Sequence, residues 1–221
     1  MTASGGEREG VVRFRAEHAT EPLPAGQAAR LAPLLPWRRV LWAAGLLGQD
    51  PRRYGGYGYG NVSVRAAGEG FLISGTQTSG AGDAGPERFA WITGWSVDGN
   101  RVASRGPVPP SSEALSHAVL YETSPAVGAV FHVHAPTLYR AAARLGLPAT
   151  AEAEAGTPEM AREVGRVLRH GAGSGSAGVV VMGGHPDGLL VYGGTAEEAG
   201  RTLVRLLAAA ARLGSGAAAA G

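Results

Sequence analysis

Apolar positions recur along this chain with two different periods, and the way those periods alternate outlines the elements. In PLLPWRRVLWAAGLLGQDP, from Pro33, the residues Val40, Leu41, Ala44 and Leu47 fall at helical spacing, and Gly48 and Pro51 supply stop signals. The stretch predicts a helix facing a core. YGGYGYGNVSVR passes from a glycine loop into alternation, with Val62 and Val64 on one side, and FLIS at 71–74 is a second short apolar run. The two predict neighbouring antiparallel strands. WITGWSVDGNRVAS sets Asp98-Gly99 between strand-like runs, a hairpin signal because glycine accepts positive φ.

Beyond the Pro-rich GPVPP, SSEALSHAVLYETSP carries an apolar stripe of Leu115, Ala118 and Val119 behind serines that can cap a first turn. AVGAVFHVHAP reads as a strand, and a short helix is expected from about Thr137 to Leu145. TPEMAREVGRVLRHG puts Met160, Val164, Val167 and Leu168 on one side, with Thr157 as N-cap and Pro158 at the first helical position. GVVVM and LLVY predict strands flanking the GGHPDG turn. TAEEAGRTLVRLLAAAARLG predicts a closing helix, with Thr195 and Glu198 spaced as a capping box and Gly214 as a stop. Residues 1–24 are polar and turn-rich and predict a frayed arm. The pattern is one of mixed α and β, with helices packed on the faces of a sheet of short strands and no strict βαβ alternation.

Length and composition change this picture little. The 221 residues are 44% hydrophobic and 17% charged, which suits one soluble domain. There are 36 glycines, and the glycine-rich ends and the stretches 80–86 and 171–178 read as tails and loops. A formal charge of +2 with scattered arginines argues against a nucleic-acid partner. No apolar run reaches the length of a membrane span, and MTASGGEREG lacks a secretory pattern, so a cytoplasmic protein is expected.

Two absences narrow the chemistry further. With no cysteine there is no thiolate nucleophile and no cysteine zinc site, and with no lysine there is neither a Schiff base nor a Walker-type phosphate loop. Carbonyl or phosphate chemistry would then depend on a metal, arginine, hydroxyls or backbone amides.

VFHVH, at 130–134, is where a metal finds support. On a strand, His132 and His134 point to the same face, so two imidazoles converge. A catalytic zinc commonly takes three protein ligands and leaves its fourth position to water or substrate. For the third, His18 lies in the polar arm and His170 in the last turn of a helix, where both read as structural. His117 lies four residues after Glu113 on one helix side, and His185 lies in a glycine-rich turn. Spacing leaves the ligand set open. GYGYG is no dinucleotide fingerprint, since strand-like VSVR follows it where a helix must open.

Four blocks, GYGYGNVSVR, FLISGTQTSG, PPSSEALSHAVLYETSPAVGAVFHVHAP and GGHPDGLLVYGGTAEEAG, in this order and at these separations, resemble the class II aldolase/adducin family over roughly residues 30–212. The resemblance implies an α/β chain with a three-layer α/β/α class II aldolase-like fold on a mainly antiparallel central sheet. That domain would span 25–213, between a flexible arm at 1–24 and a flexible tail at 214–221. It further implies a homo-oligomer, with a cyclic tetramer favoured and active sites at subunit interfaces, and a divalent metal, zinc in particular.

Carried over by position, the resemblance makes His132, His134 and His185 the metal ligands and Glu113 the acid/base. It assigns Asn61, Thr76, Ser111 and Ser112 to the polar or phosphate end of a small-molecule carbonyl substrate. The implied activity is that of a metal-dependent lyase on a polyhydroxy carbonyl compound or sugar phosphate, with aldol-type C–C cleavage through a metal-stabilised enediolate. An aspartate at 113 would point to the family's epimerases, so glutamate leans toward lysis.

The chain departs from the family in two places. ISGTQTSG differs from the Thr-Pro-Ser-Gly segment of the sugar-phosphate aldolases, and LAAAARLGSGAAAAG ends without the tyrosine those enzymes use as a proton donor. Tyr139 is a candidate substitute. Epimerase, dehydratase or decarboxylase chemistry stays open, as does metal-dependent hydrolysis. The rival from another class is a non-catalytic adducin-like interaction module.

Overall fold

Strand β1 (Arg15–Thr20) leads into the short helix α1 (Ala25–Ala28) and the helix α2 (Leu35–Ala43). Two small strands follow, β2 (Gly48–Gln49) and β3 (Gly58–Tyr59), which pair with each other, and then β4 (Asn61–Arg65), β5 (Phe71–Ser74), β6 (Phe89–Ser96) and β7 (Arg101–Gly106). The second half comprises α3 (Ala114–Thr123), β8 (Ala129–His134), α4 (Pro136–Ala141), α5 (Pro158–Val167), β9 (Gly178–Val181), β10 (Gly188–Gly193) and α6 (Ala196–Ala218). This is a computed structural model, and it describes residues 11–172 and 175–218.

Eight strands form one sheet in the order β1-β7-β6-β5-β4-β8-β10-β9, in which β1 and β7 run parallel and every other pair is antiparallel. Alternation along the central strands divides the core in two. Phe131, Val133, Val62, Val64, Leu189 and Val191 face α2, α4 and α6, whereas Val130, Phe71, Ile73, Leu190 and Tyr192 face α3 and α5. Burial on both faces makes these runs almost continuously apolar, each large side chain contributing about 1.5–3 kcal/mol. The result is the expected three-layer α/β/α arrangement on a mostly antiparallel sheet. Among the described residues no helix is long and apolar enough to cross a membrane.

Several elements differ from the sequence-based expectation. Residues 15–20 of the expected arm form β1, which gains its backbone bonds from β7 and leaves its polar side chains in solvent; alternation of apolar residues has nothing to report on such an edge strand. Of the rest of that arm, 1–10 lie outside the described residues, and Phe14, just before β1, is buried in the core on the α3 side. Helix α2 ends before Gly48: Gly45 takes φ +66°, Leu46 N–H donates to Leu41 O and Gly45 N–H to Trp42 O, a Schellman closure. Val40 is 52% exposed, and the buried stripe of this helix is Leu34, Arg38 and Leu41 instead. In the β6–β7 turn the left-handed residue is Asn100 (φ +45°), one position beyond Gly99. Helix α6 runs through Gly214 to Ala218, so the expected tail at 214–221 begins as helix, and 219–221 lie outside the described residues. The glycine stretch 171–178 begins inside a single π-helical turn, Leu168–Ala172, and its residues 173–174 are likewise outside them.

The N-caps of α5 and α6 follow expectation, whereas α3 starts from Glu113 without a side-chain cap from the serines before it. Thr157 Oγ1 accepts from Met160 N–H at 3.3 Å, and Thr195 Oγ1 accepts from Glu198 N–H at 3.1 Å. The Glu198 carboxylate reaches back to Gly194 N–H at 2.8 Å.

Candidate metal centre

Strand β8 is the sixth of the eight strands and is flanked on both sides by β4 and β10. His132 and His134 share their face with Val130, on the side of α3, and both are fully buried. Asn61 of β4 and Leu190 of β10 sit opposite His132, and Gly188 sits opposite His134. The turn joining β9 to β10 carries His185 over this strand end. A Cβ on Gly188 would stand 2.3 Å from His185 Cδ2, so only glycine leaves room for the imidazole there.

The three rings converge through one nitrogen each. His132 Nε2 lies 3.2 Å from His134 Nε2 and 3.2 Å from His185 Nε2. These three residues are the one group among the described residues whose ligand atoms gather so that they could hold a metal, all within 4.8 Å of one another. His132 Nδ1, 3.3 Å from Leu189 O, is placed to donate to that carbonyl, which leaves the Nε2 lone pair facing the cluster. Lone pairs facing one another at this separation repel unless a cation or proton lies among them. Tetrahedral zinc with Zn–N bonds of about 2.0–2.1 Å spaces its nitrogens about 3.3–3.4 Å apart, so the donor set suits a divalent ion in chemistry, and the two separations from His132 suit it in spacing.

Glu113 immediately precedes α3 and is 2% exposed. Its Oε2 accepts from Ser116 Oγ at 2.9 Å, and its N–H donates to Ser111 Oγ at 3.3 Å. Ser111 N–H donates to Ser74 O and Thr76 N–H to Pro109 O, which staples the loop before α3 to the end of β5. Asn61, Thr76, Ser111 and Ser112 thereby line one small polar hollow, together with Gln77 and Ser79. The Asn61 amide oxygen is buried and meets no hydrogen-bond donor among the described residues. Arg38, also buried, fastens the loop beyond Thr76 by donating to the carbonyls of Thr78, Ala81 and Gly82. Burial lowers its guanidinium pKa to about 10, still charged at neutral pH.

The other histidines stand apart from the cluster. His117 Nδ1 pairs with Ser63 Oγ at 2.7 Å, Ser63 Oγ pairs with Tyr121 OH at 2.8 Å, and burial pushes the imidazole pKa down to about 3. His18 pairs with Ser104 Oγ on the sheet edge, and His170 is exposed. Tyr139, the candidate proton donor, packs against the α6-side core and donates its hydroxyl to Met182 O at 3.4 Å.

Sequence reasoning missed a tyrosine beside the histidines. Tyr54 stands edge-on to the His134 ring, centroids 4.5 Å apart, and donates its hydroxyl to Asp187 Oδ2 at 2.9 Å. Burial raises its phenol pKa to about 12. Tyr54 and Asp187 are 133 positions apart in the chain, and RRYGGYGYG carries no periodic signal to single out one tyrosine.

Comparison with known proteins agrees with this architecture. The family described as class II aldolase and adducin N-terminal domain matches residues 49–213. Among solved structures, YgbL of Klebsiella pneumoniae superposes with a TM-score of 0.67 at 16% identity, covering 87% of this chain and 91% of that one. L-fuculose-1-phosphate aldolase from Thermus thermophilus gives 0.59 at 21% identity, covering 86% and 93%. A sugar-phosphate aldolase from Thermotoga maritima gives 0.62 at 15% identity, covering 81% and 91%. A search of curated proteins finds no match. At these identities the solved structures speak for the fold, whereas the family match covers most of the sequence. The chain belongs to the class II aldolase and adducin N-terminal domain family.

Proposed function

We propose that the protein is a metal-dependent lyase of the class II aldolase type, acting on a small polyhydroxy carbonyl compound or sugar phosphate. The observation that carries this reading is the convergence of three buried imidazole Nε2 atoms, with two separations of 3.2 Å. His132, His134 and His185 would hold a divalent ion, with zinc the choice that suits three nitrogens. When bound, the ion supplies Lewis acidity to a substrate carbonyl and its neighbouring hydroxyl.

The chain's own groups do the rest. Glu113 is the acid/base: the residue is 2% exposed and its Oε2 is held by Ser116, which fixes the carboxylate in place for proton transfer. Asn61, Thr76, Ser111 and Ser112 orient the polar end of the substrate, and the buried Asn61 oxygen favours a substrate hydroxyl as its partner. That hollow has no cationic side chain in its lining among the described residues. Backbone amides and hydroxyls would therefore carry any phosphate recognition.

Metal analysis joined to a substrate screen tests the reading. One zinc per chain is expected in the purified protein, and none after His132→Ala. Glu113→Gln should retain the metal and lose about 10²–10⁴-fold in turnover of whichever sugar phosphate or hydroxy-ketone the wild type cleaves. A chain that takes up no metal would point to the adducin-like module, and full activity in Glu113→Gln would remove lyase chemistry at this residue.

A further inference from the structure

The glycine loop between β2 and β3 reaches the histidine cluster through one side chain. Tyr54 lies edge-on to His134, and the Tyr59 ring approaches the same imidazole at 5.5 Å, so two aromatic rings bear on one histidine. The Tyr54 hydroxyl donates to Asp187 Oδ2, two residues past His185. Asp187 also accepts through its main-chain oxygen from Ala135 N–H at 2.9 Å, directly after His134. A single aspartate thus touches the strand that carries one ring and the turn that carries another.

The polarity of this chain of bonds is fixed. Arg53 can only donate, and its Nη2 gives a hydrogen bond to Tyr54 OH at 2.9 Å, which leaves the phenol proton for the carboxylate. Arg53 is itself held by Tyr59 OH at 3.0 Å and Gly45 O at 3.2 Å. Backbone geometry points the same way. Tyr54 takes φ +49° and Asp187 φ +65°, left-handed conformations that a bulky residue such as tyrosine adopts only at a cost. Gly55 and Gly56, next in the chain, already supply left-handed positions for the turn, so the loop itself has no need of tyrosine at 54.

We propose that Arg53, Tyr54 and Asp187 form a latch that holds His134 and His185 in ligand orientation, making the β2–β3 loop the retaining element of the metal centre. The inference rests on the metal-centre reading above. Strand β8 sets the backbone of His134 and leaves the rotation of its ring to be settled by contacts, and the His185 turn needs an anchor to the strand. The latch supplies both, and its members are positioning residues that act through the histidines. Groups bonded directly to a ligating histidine change metal affinity by about 10–100-fold, and a latch acting one contact further out is expected at the low end of that range.

Zinc transfer from the full-length, zinc-loaded protein to a chromogenic chelator reads the latch without any substrate. Tyr54→Phe keeps the ring and removes the hydroxyl, and Asp187→Gly removes the carboxylate while tolerating positive φ. Each should speed zinc release about tenfold or more, and the double variant should be no faster than the quicker single, since both cut one bond. Asp187→Asn keeps an acceptor and should release zinc at close to the wild-type rate. In the cobalt-substituted protein, Tyr54→Phe should shift the ligand-field absorption bands. Wild-type release rates and spectra in both cutting variants would overturn the latch, as would a lowered melting temperature of metal-free protein with release unchanged, because that result assigns the bond to folding alone. Failure of the underlying reading shows separately, as wild-type protein that binds no zinc or as His132→Ala that keeps it.

Discussion

Burial decides the charge of individual side chains here, and His117 shows the consequence. Its folded-state pKa is about 3 against 6.5 for a solvated imidazole. Between those values the unfolded chain binds a proton that the folded chain refuses, so stability falls as pH falls through that window and is unaffected above it. From pH 7 to pH 4 the loss from this one residue is on the order of 3 kcal/mol. Denaturant unfolding at the two pH values should show a smaller drop for His117→Gln than for wild type, and an equal drop would mean that His117 protonates in the folded state. At this scale residue types were informative and placement was not. The His-x-His pair could be read from alternation alone and His185 from the motif resemblance, whereas the burial of Glu113 and of His117 depends on what the folded chain places around them.

At the scale of elements, the site depends on how strands meet loops. Gly60 joins β3 to β4 at φ +70°, and a Cβ there would lie 2.6 Å from Leu47 Cβ and 3.1 Å from His132 O. Gly60→Ala must shift either Leu47 or the strand that presents the histidines, at a penalty of at least about 2 kcal/mol. Thermal unfolding should show a clearly lower midpoint for this variant, and a midpoint equal to wild type would mean that the β3–β4 junction adapts freely. The elements themselves were legible wherever both period and punctuation were strong. Thr157-Pro158 started a helix as its cap chemistry requires, and VSVR and FLIS paired antiparallel. Polar edge strand β1 was not legible, because hydrogen bonds to β7 hold it and those leave no mark on side-chain pattern. Helix α2 hid its true face because the buried stripe includes Arg38, a charged residue satisfied by three loop carbonyls.

For the whole molecule, the metal reading makes a statement about stability. An ion that binds only the folded chain adds about 2.7 kcal/mol at a free concentration about a hundred times its dissociation constant, which for a chain of this size raises the melting temperature by roughly 5–10 °C. Scanning calorimetry with zinc and with chelator should show that difference in wild type and lose it in His132→Ala. Equal midpoints for wild type under both conditions would mean that the histidine cluster does not hold the ion in the folded state.

Alternation, cap residues and the four ordered motif blocks were enough to determine the layer architecture, the family and the residue types of the candidate centre, because each is encoded by neighbours a few positions apart. Tertiary structure alone decided that Glu113 is withdrawn from solvent and that Tyr54 meets Asp187 across 133 positions, and it brings His185, named beforehand by the family resemblance, to within 4.8 Å of His132 and His134. Such contacts depend on where separate segments come to rest against each other, and no local period records that.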